Sequence, residues 1–298
     1  MRNLSVLFLL AAGGALSQNP PAPLAHFHHV HLNSTDPQGA IDFYTSKLES
    51  EKRKFADGRD ALWAHQSWLL FTKVDRPPKS DITSAIWHIG WGGGDNMTET
   101  YRRQVESGTK FHTPITDLSD QCDGNGGNGR AFFSYIDAPD HTMVELNTTP
   151  AANRHFYHVH LLSADPIAAS DWYMKEFGVT RRGTGPPSAE VRYRCGRQTA
   201  PSATLVMDDV SIGIYPVGNA KATFPEIWKG RDELESTAGH SVDHLGFRVD
   251  NLDQTLERLK NDGVKVTAAP KAVDGGKIRF AFIEGPDRIR IEILEEHN

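Results

Sequence analysis

The stretch HFHHVHLNSTDPQGAIDFY, residues 26–44, decides the fold because the chain repeats it as HFYHVHLLSADPIAASDWY at residues 155–173. The two stretches are identical at 12 of 19 aligned positions. The identical positions include a pair of histidines spaced as H-x-H and the Asp-Pro that follows them. An internal repeat of this kind means that the chain is built from copies of one structural unit. Each copy carries two histidines at strand spacing, and histidine is the commonest metal ligand in proteins.

The repeated stretch predicts a strand followed by a helix. His29 and His31 lie on one face of the predicted strand, and Asp36-Pro37 then provides a helix cap and a proline at the first helical position. Less similar units begin at SAIWHIGW (84–91) and VDHLGFRV (242–249), and each continues through a helix to a closing hairpin. We therefore predict four units, two in a first domain at 26–149 and two in a second domain at 155–296, with a linker between Thr148 and Arg154.

Composition places the chain among ordinary globular proteins and leaves room for two domains. It has 298 residues, of which 38% are hydrophobic and 23% charged, and it carries 14 histidines. The net charge of -6 argues against broad nucleic-acid binding. We expect a small molecule as the partner and no nucleic acid, and the sequence leaves the oligomeric state open.

The first 17 residues predict a secretory signal peptide. Arg2 provides the positive start, LSVLFLLAAGGA the short apolar core, and Ala15-Leu16-Ser17 a cleavage site of small residues. The expected location is secreted or periplasmic, with no membrane segment in the mature form, and an uncleaved anchor is the alternative. Export would permit a disulfide between Cys122 and Cys195, but two separate thiols are an equally open interpretation.

Each half offers two histidines on first strands and one glutamate on a closing strand. The predicted ligand sets are His29, His88 and Glu145 in the first half, and His158, His244 and Glu292 in the second. Two imidazoles and a carboxylate can cap one face of an octahedral ion, which suits Fe(II) and also Mn(II) or Zn(II). A slip of one residue in the first strand would put His28 in the place of His29.

His31 and His160 each follow a predicted ligand by two residues, so each shares the face of its strand with that ligand. Three interpretations are open for this pair of histidines. Each could be an acid or base beside the substrate, a substitute metal ligand, or a buried histidine that only makes hydrogen bonds.

The segments HHVHLNSTDPQGAIDFY, VDHLGFRVDNLDQTLERLKNDGV and FIEGPDRIRIEIL resemble the vicinal oxygen chelate superfamily, which includes glyoxalases, bleomycin-resistance proteins and extradiol dioxygenases. The resemblance covers nearly all of the chain after the signal peptide. It implies an α+β fold of four βαβββ modules, paired into two glyoxalase/dioxygenase-like domains that each surround a metal cavity. It also implies that the two ligand sets given above hold the metal.

Two departures from the family's patterns shape the expected activity. Glyoxalase-type members draw a fourth ligand from the last strand of a module, but WLLFTKV and VSIGIYPV carry no carboxylate there. Tyr135 precedes Glu145 by ten residues, a spacing like that of the dioxygenase tyrosine, and Phe282 takes its place in the second half. The leading expectation is therefore extradiol-dioxygenase-like ring cleavage with Fe(II), with His31, Tyr135 and His160 as catalytic residues. The alternatives are a glyoxalase-type lyase or isomerase and a non-catalytic, bleomycin-resistance-like binding protein.

Overall fold

The computed structural model describes residues 24–120, 122, 127–183 and 188–297. The predicted signal peptide at residues 1–17 lies outside the described residues. The chain forms four modules in succession, each with one strand, one helix and then several strands. None of the helices in the described part of the chain is long and apolar enough to cross a membrane.

The first two modules follow the predicted order of elements. Module 1 comprises β1 (His26–Ser34), α1 (Pro37–Lys47), β2 (Glu51–Lys54), β3 (Asp60–Ala64) and β4 (Ser67–Lys73). Module 2 comprises β5 (Ile86–Gly92), α2 (Met97–Glu106), β6 (Phe111–Asp117), β7 (Phe132–Asp137) and β8 (Met143–Asn147).

Module 3 is longer than the others because it contains an additional hairpin and two short helices. It comprises β9 (Phe156–Ser163), α3 (Pro166–Phe177), β10 (Thr180–Arg181), the hairpin β11 (Arg192–Arg194) and β12 (Arg197–Ala200), β13 (Ala203–Met207), β14 (Val210–Pro216), α4 (Val217–Thr223) and α5 (Pro225–Trp228). Module 4 comprises β15 (Val242–Arg248), α6 (Leu252–Asn261), β16 (Lys265–Val273), β17 (Ile278–Glu284) and β18 (Arg290–Glu296).

The predicted helix starts are confirmed at both copies of the repeat. The side chain of Asp36 accepts a hydrogen bond from the backbone N–H of Gly39, and that of Asp165 accepts one from Ala168, each at 3.1 Å. These bonds satisfy backbone donors that the first turn of a helix leaves free. The Asp-Pro pair therefore ends the first strand and starts the helix at the same place in modules 1 and 3.

The modules are joined pairwise into two eight-stranded sheets. One sheet has the order β16-β17-β18-β15-β1-β4-β3-β2, and the other has the order β10-β13-β14-β9-β5-β8-β7-β6. At the centre of the first sheet β1 runs antiparallel to β15, and at the centre of the second β5 runs antiparallel to β9. The α+β fold of four paired βαβββ modules is confirmed.

The predicted partners within the pairs are wrong. We expected modules 1 and 2 to share a domain at 26–149, and modules 3 and 4 a domain at 155–296. Instead module 1 pairs with module 4, and module 2 pairs with module 3. The physical reason lies in the connectors, because segments 74–85 and 217–241 both cross between the sheets. They run side by side, joined by backbone bridges between Lys79 and His240 and between Ser84 and Glu235.

The hydrophobic core directs the histidines toward the opposite faces of the central strands. Val30, Ile89, Val159 and Leu245 alternate with the histidines and are completely buried in one cluster that draws on both sheets. Successive side chains of a strand point to opposite faces. Each histidine-bearing face therefore lies away from this shared core, one on each sheet.

Candidate metal centre

Four side chains from modules 2 and 3 converge on one face of the second sheet. His88 comes from β5, Glu145 from β8, and His158 and His160 from β9, and one possible ligand atom of each lies within 4.8 Å of the others. The Oε2 atom of Glu145 is 2.9 Å from Nε2 of His88, 3.9 Å from Nε2 of His158 and 3.8 Å from Nδ1 of His160. We call these four residues the Glu145 site.

Buried nitrogen atoms without partners mark the Glu145 site as a place for a cation. Both ring nitrogens of His88 and of His158 are buried and have no hydrogen-bond partner among the described residues. A buried polar atom without a partner is costly, and a metal ion would satisfy one nitrogen of each ring. Three imidazoles and one carboxylate on rigid strands form a donor set that fits a divalent transition metal.

Burial also keeps the imidazoles of this site in the form that binds metals. Burial lowers the pKa of His88 to about 3, and burial together with the nearby His88 lowers the pKa of His160 to about 3. The pKa of His158 is likewise held well below its ordinary value, mainly by burial. All three rings are therefore neutral at pH 7, with lone pairs free for a metal.

Neighbouring side chains fix the orientation of Glu145. The amide of Asn147 donates to Oε1 of Glu145 at 2.8 Å, and the hydroxyl of Tyr157 donates to Oδ1 of Asn147 at 2.5 Å. Outer contacts of this kind hold a ligating carboxylate in place. Oε2 is thereby left to face the three imidazoles.

Tyr135 belongs to the same site. It lies directly opposite Glu145 across the β7–β8 ladder, and its ring centroid is 4.9 Å from that of His88. Burial, and then the nearby Glu145 carboxylate, raise the pKa of Tyr135 well above its ordinary value. The phenol therefore keeps its proton at neutral pH. The sequence had grouped Tyr135 with His31, but its ring lies beside His88 of the Glu145 site.

Glycines opposite the ligands make room for the imidazole rings, and the sequence analysis did not identify them. A Cβ on Gly90 would lie 1.9 Å from the ring of His158, and one on Gly246 would lie 2.0 Å from the ring of His29. Only glycine permits such a close approach. The signal was present in the sequence, because HIG at 88–90 and HLG at 244–246 share a glycine two residues after the histidine.

A third glycine shows how His160, which the sequence left open as a substitute ligand, reaches the site as a fourth donor. In the register of β9 and β14, Gly213 lies beside His160, and a Cβ there would come within 2.5 Å of the His160 ring. The strand VSIGIYPV thus carries an empty position where a carboxylate was sought. His160 fills that space from the neighbouring strand, so the Glu145 site has four candidate ligands instead of three.

The equivalent positions of modules 1 and 4 form a second cluster, the Glu292 site, composed of His29, His31, His244 and Glu292. His29, His31 and His244 approach one another within 4.8 Å. Nε2 of His244 shares a hydrogen bond of 3.1 Å with Oε2 of Glu292, and Nε2 of His29 lies 3.9 Å from the same oxygen. The ring of His31 stacks on that of His244 at 4.4 Å and bonds to the hydroxyl of Thr72 at 2.7 Å.

Asp243 changes the ionisation of the Glu292 site. Its Oδ1 lies 2.6 Å from Nδ1 of His244, and Arg290 donates to the same oxygen at 2.5 Å. Burial alone would lower the pKa of His244, but the hydrogen bonds to Asp243 and Glu292 raise it above its ordinary value. Burial would raise the pKa of Asp243, but the bond to His244 lowers it overall. Both His244 nitrogens are thus hydrogen-bonded, Nδ1 to Asp243 and Nε2 to Glu292.

The two predicted ligand sets are not brought together as the sequence analysis grouped them. His29 lies on the other sheet from His88 and Glu145, and His158 lies on the other sheet from His244 and Glu292. The six residues are redistributed because each site forms where first strands of two paired modules meet. The alternative register is also settled, since His28 contacts His29 and Glu296 and is not part of the cluster.

A disulfide joins module 2 to the extra hairpin of module 3 beside the Glu145 site. Cys122 and Cys195 are bonded, with their Cα atoms 5.5 Å apart, which answers the alternative that the sequence left open. Together with Phe133, Arg194 and Arg197 they line a cavity of about 360 Å³. The ring of Phe133 lies 5.4 Å from that of Tyr135, so this cavity adjoins the site.

The family follows from the second half of the chain. Residues 155–293 match the family model described as the glyoxalase/bleomycin resistance protein/dioxygenase superfamily. This half of the chain belongs to that superfamily. It is the vicinal oxygen chelate superfamily of the sequence resemblance, and the internal repeat and the shared module fold extend that relationship to the first half.

Curated proteins to which the chain is similar are named as lyases. The lactoylglutathione lyase of Salmonella typhimurium is 37% identical over 57 residues, which cover 19% of this chain and 42% of that protein. The probable chloroplastic lactoylglutathione lyase of Arabidopsis thaliana is 42% identical over 66 residues, which cover 22% of this chain and 18% of that protein. The chain thus spans less than half the length of these relatives.

Similarity in three dimensions extends over almost the whole chain. The crystal structure of glyoxalase I from Zea mays matches with a TM-score of 0.65, covering 92% of this chain and 93% of that one at 16% identity. At this low identity the likeness concerns the fold, which the two proteins share across both sheets.

Proposed function

We propose that the Glu145 site is the active site of a metal-dependent lyase or isomerase of glyoxalase type. The observation that carries this proposal is the convergence of four donors in which both nitrogens of two buried imidazoles lack a hydrogen-bond partner among the described residues. Imidazole and carboxylate donors suit Zn(II), Mn(II) and the initially expected Fe(II). The metal would act as a Lewis acid toward two neighbouring oxygen atoms of a small molecule.

The residues of the site can move the proton that such a reaction requires. An isomerisation of a hydroxy-carbonyl compound transfers a proton from one carbon to its neighbour while the two oxygens exchange single and double bonds. The reaction is redox-neutral and needs one base, and Glu145 is the carboxylate at the centre of the site, oriented by Asn147. Tyr135 keeps its proton because of its raised pKa, and it would donate a hydrogen bond to Glu145 or to a substrate oxygen.

The adjoining cavity is suited to the remainder of the substrate. A volume of about 360 Å³ lies within the range of small-molecule pockets. Arg194 and Arg197 line its wall together with Asp117 and Asp120, and Phe133 provides an apolar surface beside Tyr135. We infer that the substrate is a small oxygenated molecule whose distal part is polar.

Two findings favour the lyase over the extradiol dioxygenase that led the sequence-based expectations. The curated relatives reported above are lactoylglutathione lyases. The absent fourth carboxylate, which had counted against a glyoxalase-type enzyme, is replaced by His160. The dioxygenase interpretation rested on a three-ligand site and on Tyr135, and Tyr135 serves a proton-transfer reaction equally well.

The test measures metal content and two reactions on the purified chain. Methylglyoxal with glutathione tests for formation of the lactoyl thioester, and a panel of catechols with an oxygen electrode tests for ring cleavage. His88→Ala is compared with His244→Ala, which changes the equivalent residue of the Glu292 site. We expect thioester formation or isomerisation of a related hydroxy-carbonyl compound, lost with one metal equivalent in His88→Ala only. Oxygen uptake would contradict the proposal, as would a stable chain that refuses metal, which would indicate a binding protein.

We also propose that the protein works outside the cytoplasm. The Cys122–Cys195 disulfide supports this, because disulfides persist mainly in oxidising compartments. Mass spectrometry of the natural protein tests it. A mature chain beginning near residue 18 with two fewer hydrogens than the reduced form is expected, and a full-length chain with two free thiols would contradict it.

A further inference from the structure

A third group of possible ligands lies outside both sites and draws on modules 1 and 3. His65 is in the turn between β3 and β4, His155 directly precedes β9, and Asp209 is in the turn between β13 and β14. One possible ligand atom of each lies within 4.8 Å of the others. We call these residues the His65 cluster.

We propose that the His65 cluster binds a divalent transition metal and thereby fastens module 1 to module 3. Two imidazoles and a carboxylate form a donor set suited to Zn(II), Ni(II) or Cu(II). The cluster is half-buried to exposed, so such an ion would keep water in its remaining positions.

The hydrogen bond of His155 leaves its Nε2 atom free to bind a metal. Its Nδ1 lies 2.8 Å from the carbonyl oxygen of Phe156, and a carbonyl only accepts, so Nδ1 carries the proton. In a neutral ring, Nε2 then has a free lone pair. Ligating histidines commonly donate their second nitrogen to a backbone carbonyl in this manner.

Asp209 supplies a carboxylate oxygen that accepts no hydrogen bond from the described residues. Its Oδ2 is buried, has no hydrogen-bond partner among the described residues, and lies 3.4 Å from Nε2 of His65. The adjacent Asp208 accepts hydrogen bonds of 2.8 Å from the ring of His26 and from the backbone N–H of Phe27. The turn that carries Asp209 is therefore already anchored to β1, and Asp209 is presented toward His65.

One ring must turn for all three residues to share an ion. The rings of His65 and His155 are stacked, with centroids 3.8 Å apart and an interplanar angle of 17°. An ion cannot lie in the planes of two parallel rings at once. The side chain of His65 is 42% exposed and sits in a turn, so it is the ring that can rotate without disturbing the core.

The experiment counts Zn²⁺ equivalents bound by the metal-stripped full chain in equilibrium dialysis. His65→Asn and Asp209→Asn test the cluster, and His141→Asn is the matched control. His65 and His141 both have exposed side chains and a φ of 63°, a conformation that asparagine tolerates. His88→Ala removes a ligand of the Glu145 site, so the Zn²⁺ equivalent of the His65 cluster can be counted apart from the equivalent bound there.

We expect His65→Asn and Asp209→Asn to bind one equivalent fewer than the unchanged chain, or to bind it at least about tenfold more weakly. His141→Asn should match the unchanged chain, and His88→Ala combined with His65→Asn should lose two equivalents. Zn²⁺ should also raise the Tm of His88→Ala, and His65→Asn should remove that increase, because a ligand of the folded state stabilises it. If His65→Asn binds as many equivalents as the unchanged chain, His65 and Asp209 form only an ion pair and the proposal fails.

Discussion

The Glu145 site and the Glu292 site are built on the same arrangement of strands, yet their chemistry differs. Each has two histidines on one central strand, a third on its antiparallel neighbour, and a glutamate on the strand beyond. At the Glu145 site the residue before the third histidine is Trp87, and the nitrogens of His88 make no hydrogen bond to a described residue, although Nε2 lies 2.9 Å from Oε2 of Glu145. At the Glu292 site that residue is Asp243, which bonds to His244 at 2.6 Å.

The difference shows that the neighbours of a buried histidine, and not its burial, determine what the histidine can do. His88 and His244 are both buried, but burial lowers the pKa of His88 to about 3, whereas hydrogen bonds to Asp243 and Glu292 overcome burial and raise the pKa of His244. Neutral imidazoles are available to a metal, whereas a ring that carries protons on both nitrogens has no lone pair for one. We therefore expect the Glu145 site and the Glu292 site to have diverged in function.

The largest predicted effect is a difference in kcat between variants of Glu145 and of Glu292. Glu145→Gln should lower kcat by about 10³-fold, because removal of a general base typically costs 10²–10⁴-fold. Glu292→Gln should leave kcat within about twofold of the unchanged chain. Steady-state kinetics of both variants, on the substrate that the proposed assays find to be converted, measures this.

The amide preserves the shape of the carboxylate, so both variants should have unchanged circular dichroism. Equal losses in the two variants would mean that both sites are catalytic. A loss confined to Glu292→Gln would reverse our assignment of the active site.

Metal affinity should distinguish His160 from His31, which are the second histidines of the two H-x-H pairs. His160→Asn should weaken metal binding by about 100-fold because it removes one of four donors from a preformed site. His31→Asn should have no effect on that equivalent, because His31 stacks on His244 and bonds to Thr72 in the other sheet. Competition with a chelating indicator gives both affinities. Undiminished binding in His160→Asn would show that His160 is an acid or base group and not a ligand.

The modules and the residues of their sites could be predicted from the sequence because the signals are local. The H-x-H pairs, the Asp-Pro caps and the closing glutamates recur at matching positions of each copy, and the structure puts His29, His158 and both glutamates on the predicted strands. Strand alternation and helix capping act within a few residues, so one copy of a repeat carries them in full.

The pairing of modules could not be predicted for a physical reason. Every module presents the edge of its first strand, so β1 could pair with β5 or with β15 while keeping the same buried and exposed faces. The selection depends on how segments 74–85 and 217–241 cross between the sheets, over separations of more than 100 residues. The choice among the three interpretations of His160 stayed open for the same reason, because the register that puts it beside Gly213 is a contact between strands.

A smaller effect is expected where the two sites differ by one hydroxyl group. Tyr135→Phe should reduce kcat by about tenfold, because it removes a proton donor beside Glu145 but leaves the aromatic packing. Phe282 is the equivalent residue opposite Glu292, and Phe282→Tyr should leave kcat unchanged. The kcat and KM of both variants provide the measurement. A Tyr135→Phe variant with full kcat would reduce Tyr135 to a packing role against His88.

The smallest predicted effect is a difference in the pH dependence of stability between the metal-free sites. The pKa of His88 is depressed in the folded chain, so its contribution is present above the unfolded pKa near 6.5 and is lost as the pH falls toward about 3. The pKa of His244 is raised, so its contribution is present below about 6.5 and is lost as the pH rises.

Relative to His88→Asn, the unchanged chain should lose about 1 kcal/mol of unfolding free energy between pH 6.5 and 5.5. Relative to His244→Asn, it should lose stability only above pH 6.5. Urea unfolding in the presence of a chelator tests both, and slopes of the same sign would show that the two histidines ionise alike and remove the distinction between the sites.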